Sequence, residues 1–159
     1  MSHYVMFIIN SGVFASNCMA HIFEDYSWWI SIIKKSLKKA DTFEMRLWPD
    51  DVEAIESGLK YGMEINNEET EEIVFQGKVT NDFEIEVQKN FTSREGYIKW
   101  FTLNLYHDKK LLFSSGHYGD ETLVFDLSEE EISQIREWAK QYLVIKRVDV
   151  YNQTNSIPF

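Results

Sequence analysis

The chain has 159 residues, 44% hydrophobic and 15% aromatic, a composition that supports one folded domain with a full core and excludes an intrinsically disordered chain. Its formal net charge is -10, and the stretch from Asp41 to Asn90, with 14 acidic and 4 basic residues, accounts for all of it. So one-sided a middle attracts basic partners and repels nucleic acid.

The single cysteine, Cys18, rules out an intramolecular disulfide and a cysteine-rich zinc site, and one unpaired thiol fits a reducing compartment. The opening segment to Asn10 is apolar but lacks a basic start, and it is far too short to span a bilayer. A cytoplasmic protein with no membrane association is expected. Tyr4 to Ile9 reads as a buried strand ended by Asn10-Ser11-Gly12.

Ser16 or Asn17 is then expected to cap a long helix to about Lys39. Met19, Ile22, Tyr26, Trp29, Ile33 and Leu37 form its core stripe, and Lys34, Lys35, Lys38 and Lys39 sit where the helix dipole favours cations. Thr42 to Trp48 alternates as a half-buried strand, with Phe43, Met45 and Leu47 on one side and Glu44, Arg46 and Trp48 on the other. Pro49-Asp50-Asp51 opens a second helix to about Lys60, with Val52, Ile55 and Leu59 inward and Gly62 as its stop. Asn66 to Glu72 is a polar acidic loop.

An antiparallel meander follows. Its predicted strands are Glu72 to Val79, Phe83 to Gln88, Tyr97 to His107, Leu111 to Ser115 and Thr122 to Phe125. Ser128-x-x-Glu131 is a capping box that starts a C-terminal helix, and Leu143 to Val150 is a last strand. The prediction is an α+β fold, mainly antiparallel, in one domain over 1–151 with a polar tail over 152–159.

Few patterns carry chemistry. His117-Tyr-Gly-Asp120-Glu121 places a histidine beside two carboxylates, the raw material of a metal site or of acid/base catalysis; a turn with satisfied polar side chains is the plainer reading. Cys18 and His21 share a helix face on the predicted helix, where an inert half-buried thiol is the plainer reading. Glu84 and Glu86 share one face of their predicted strand, as an exposed acidic face would. With Glu44, Asp50, Asp51, Glu53, Glu56 and Asp82 they are candidates for a continuous acidic surface, and Trp48 and Trp28, off the core stripes, are candidate apolar anchors beside it. No cofactor is implied, because the seven scattered glycines form no phosphate loop.

Three passages resemble the small immunity proteins of bacterial polymorphic toxin and contact-dependent inhibition systems. They are Tyr4 to Gly12, Ile73 to Val79, and Ile98 to Tyr106 continuing through Leu112 to Glu121. The resemblance implies a cytosolic antidote of α+β fold that binds one cognate toxin domain. Such toxins are often nucleases with basic clefts, which an acidic surface fills as a phosphate mimic. Two other readings stand beside it. One is a small metal-dependent hydrolase using His117, Asp120 and Glu121, and the other is a DNA-mimic inhibitor of a nucleic-acid enzyme.

Overall fold

The computed structural model describes residues 2–10, 12–15 and 19–153. Among them are ten strands and four helices, in the order β1 (His3–Ile9), β2 (Val13–Phe14), β3 (His21–Ile22), α1 (Ser27–Lys39), β4 (Thr42–Leu47), α2 (Val52–Tyr61), β5 (Met63–Ile65), β6 (Ile73–Lys78), α3 (Asn81–Lys89), β7 (Thr102–His107), β8 (Lys110–Gly116), β9 (Glu121–Leu127), α4 (Glu129–Ala139) and β10 (Ile145–Asn152). Eight strands form one sheet in the order β10-β1-β9-β8-β7-β4-β6-β5, every pair antiparallel; β2 and β3 make a separate hairpin. The class is α+β, with no helix among the described residues long and apolar enough to cross a membrane.

One core cluster joins all four helices to a single face of the sheet: Val5, Phe7, Met45, Leu103 and Phe113 from strands meet Trp28, Trp29, Phe83 and Ile132 from helices. Period-two alternation drives this, since each strand sends every second side chain to the helix side. The opposite face carries a smaller apolar group of Leu111, Leu123 and Phe125, over which Tyr4 stacks between Phe125 and Tyr151 at centroid distances of 5.3 and 5.0 Å. The polar side of β4 lies there too, where Glu44 receives Arg46 at 2.8 Å and Gln76 at 2.8 Å.

Three expectations are corrected. The first helix is 13 residues long and starts at Ser27. Asp25 fixes that start: its carboxylate accepts the Ser27 N–H at 2.9 Å, and its carbonyl accepts the Trp28 indole N–H at 2.8 Å. Ahead of it runs the β2–β3 hairpin, leaving Met19 82% exposed; the expected caps Ser16 and Asn17, and Cys18, lie outside the described residues.

The second correction is α3, where a strand was expected. Thr80 caps it by accepting the Phe83 N–H at 3.2 Å, Asp82 and Glu84 occupy its first turn and Lys89 its last. Phe83 and Val87, four apart, share the buried side, and Ile85 between them points out. A pattern of apolar residues at i, i+2 and i+4 fits either period, and the cap decides it.

The third concerns α2, which buries Ala54, Ser57 and Gly58 and leaves Val52 and Leu59 exposed, with Ile55 half-buried. The helix docks closely on β6: a Cβ on Gly58 would stand 2.4 Å from the Phe75 ring. Only the small-residue face permits that approach.

The capping box at Ser128 and Glu131 forms as its spacing demands. The chain continues past α4, so that its last described element is β10, which takes in Tyr151 and Asn152; residues 154–159 of the expected tail lie outside the described residues.

Candidate functional site

A broad cleft of about 980 Å³ lies between the β4–α2 turn and the β8–β9 connection. The turn Trp48-Pro49-Asp50-Asp51 is locked by its own aspartate, because Asp51 accepts the Trp48 N–H at 2.9 Å and donates its N–H to the Trp48 carbonyl at 3.0 Å. Across the cleft His117–Gly119 forms a 3-10 turn with three consecutive positive φ values, 47° at His117, 56° at Tyr118 and 91° at Gly119. A tyrosine in that conformation costs roughly 1–3 kcal/mol, and surrounding contacts must hold it. They do so through the Tyr118 hydroxyl, which donates to Asp51 Oδ1 at 2.9 Å in a buried environment, and the Tyr118 N–H, which donates to the Phe101 carbonyl at 3.1 Å.

Asp51 is 7% exposed. Burial pushes its pKa above the ordinary 3.8, against the lowering effect of the Trp48 and Tyr118 hydrogen bonds, and Asp50 adds to the rise. It is thus a structural carboxylate that ties the two walls together.

The floor is aromatic. Phe101 lies 5.3 Å from the Trp48 ring, 5.3 Å from Tyr118 and 5.1 Å from His117, centroid to centroid. Exposed Phe14, Met19 and Val52 add apolar rim, and Asp50, Glu53, Glu95 and Asp120 supply carboxylates. With Asp51 the lining holds five carboxylates against one lysine, Lys99, which is buried and paired with Glu86 at 2.5 Å. Ser93, 8% exposed, also lines the cleft, and its buried hydroxyl has no hydrogen-bond partner among the described residues.

The cleft thus gathers Trp48, Asp50, Asp51 and Glu53 from the expected partner surface. Glu53 also accepts the Arg94 N–H at 2.9 Å and borders a neighbouring hollow that holds Glu56 and Glu86. Other members fall elsewhere. Glu44 is buried on the far side of β4 among Arg46 and Gln76; Asp82 and Glu84 sit in the first turn of α3; and Trp28 is fully buried against Phe7 and Phe23, so it offers no surface anchor. The continuous acidic surface expected from the sequence is divided among these places.

His117, Asp120 and Glu121 do not converge. His117 Nδ1 meets Glu121 at 3.0 Å, while Asp120 meets His21 Nδ1 at 3.3 Å. No group of three His, Cys, Asp or Glu side chains suited to a metal ion occurs among the described residues. Sequence reasoning missed Phe101 and Tyr118 as site residues. Phe101 reads as a strand residue with Leu103 and Leu105, but β7 begins only at Thr102. The Asp51–Tyr118 contact spans 67 residues, and no local pattern announces it.

No protein-family model, curated protein or solved structure matches this chain. The likeness to immunity proteins rests on the three sequence passages alone.

Proposed function

We propose that this protein is a non-enzymatic immunity protein that neutralises a cognate toxin domain by taking a basic element of it into the cleft between the β4–α2 turn and the His117 turn. The observation that carries this reading is the pairing of four solvent-facing carboxylates with an aromatic and apolar floor, in walls pinned together through Asp51 and Tyr118. Carboxylates at such a rim speed and orient the encounter with Lys or Arg, and apolar anchors in the middle slow dissociation. A preformed cleft also lowers the ordering cost of binding.

Co-expression tests it. The toxin domain encoded immediately upstream is expected to kill cells that lack this protein and spare cells that carry it. A variant with Asp50→Lys, Glu53→Lys and Asp120→Lys is expected to lose protection, whereas reversal of Glu129, Glu130 and Glu137 on α4 keeps it. Absence of protection by the natural chain, or equal protection by both variants, would refute the proposal.

A further inference from the structure

A second concavity is chemically the opposite of the acidic cleft. Helix α1 packs on α3, β7 and β8, while α4 packs on β10. Between the two helices a groove of about 390 Å³ opens over β1 and β9. That volume lies in the range of roughly 300–1,000 Å³ typical of small-molecule sites. Its floor is apolar, with Phe7, Ile32, Val124, Leu127, Ile135 and Trp138.

Strand β9 is bulged there. Leu127 faces His3 and Val124 faces Val5, so Phe125 and Asp126 stand opposite Tyr4, and Asp126 takes a φ of 58°.

The rim on the α1 side is cationic. Lys35, Lys38 and Lys39 are exposed, line the groove, and have no ion-pair partner among the described residues. The C-terminal end of a helix carries about half a negative charge. Three ammonium groups outweigh it. On the other rim Asp126 and Glu131 are acidic, and Glu131 is held by the capping box, where it accepts the Ser128 N–H at 3.1 Å. A ligand head therefore belongs at the α1 rim, and it should be anionic.

We propose that this groove binds a free anionic amphiphile of the fatty-acid type, with the carboxylate at Lys35, Lys38 and Lys39 and the apolar chain along the floor over β9. This site is independent of the acidic cleft. Area and charge supply the two halves of its specificity: an apolar chain leaves water, and the head meets unpaired lysines in a chain whose net charge is -10.

The test uses the full chain, with displacement of anilinonaphthalene sulfonate and calorimetry as readouts. Decanoate is expected to bind saturably at one site below its micelle threshold. Decylammonium is expected to bind at least tenfold more weakly. The variant Lys35→Ser, Lys38→Ser, Lys39→Ser should lose tenfold or more in decanoate affinity. Gln134→Trp, which fills the groove from the exposed side of α4, should do the same, and thermal unfolding checks that both variants fold. Equal binding of decanoate and decylammonium would overturn the proposal, as would the absence of a saturable site. Concentration-dependent dimerisation that excludes the dye would identify a second copy of the chain as the occupant and likewise overturn it. So would binding to anionic vesicles without binding of free decanoate.

Discussion

Helices α1 and α2 face the same sheet and bury opposite kinds of side chain. Helix α1 drives Trp28, Trp29 and Ile33 to zero exposure; Trp29 stacks on Trp100 and Phe91, meets Phe113 edge-on, and donates its indole N–H to Ser115 at 3.1 Å. Helix α2 lays Ala54, Ser57 and Gly58 against the sheet and turns Val52 and Leu59, 60% and 67% exposed, to the outside. The first helix is held by volume and the second by closeness. The lesson is that an apolar stripe is not always the core-facing one. Where small residues dock a helix, its large apolar residues remain available to a partner, and Val52 of α2 lines the acidic cleft.

The sharpest way to break this contrast is to empty the α1 side. Trp29→Ala removes the ring at the centre of the aromatic cluster and is expected to cost about 3–5 kcal/mol in urea unfolding. A loss below about 1 kcal/mol would show that α1 is not packed by volume. A smaller effect is expected on α2. Gly58→Val drives its side chain into Phe75 and should cost about 1–3 kcal/mol, while Leu59→Ser beside it stays within about 0.5 kcal/mol. Reversed values would restore the apolar stripe as the buried face.

The smallest effect concerns the pin between the cleft walls, and it depends on pH. The folded-state pKa of Asp51 is raised above 3.8, so folding favours its protonated form. Its contribution to stability is fully present below that ordinary value and is lost as pH rises through the raised folded value. Asp51→Asn fixes a neutral group at the site. The melting temperature of the natural chain relative to this variant is therefore expected to fall as pH rises from the acid range toward neutrality. A difference that grows with pH would mean that the two hydrogen bonds outweigh burial.

What could be read from the sequence follows from where the determining contacts lie. The strand at Tyr4 to Ile9, the alternation of β4, the β7–β8 hairpin and the Ser128 capping box are local, and each has its residues within one segment. The hairpin even shows the two positive φ values, at Asp108 and Lys109, that a two-residue turn requires. The start of α1 is not legible, because Met19 and Ile22 continue its apolar spacing, while the boundary is set by the Asp25 carboxylate. The α3 segment satisfied both periods. At the cleft, Trp48, Asp50 and Asp51 can be singled out from sequence because Trp48 alternates away from the core side of its strand and the two acids open the second helix. Phe101 and Tyr118 were not, since their roles depend on a left-handed backbone and on a tyrosine–aspartate contact across the fold. The acidic middle segment was a true compositional signal, but its partition among the cleft, the hollow, α3 and the far face of the sheet is a property of topology.

The central claim is that a basic partner occupies the cleft, and carboxyl footprinting of the complex tests it most directly. Carbodiimide labelling of the protein alone and bound to the toxin domain, read by peptide mass spectrometry, reports each carboxylate separately. Asp50, Glu53 and Asp120 are expected to lose labelling on binding, while Glu129, Glu130 and Glu137 on α4 keep it. Unchanged labelling at Asp50, Glu53 and Asp120 in a saturated complex would contradict the claim.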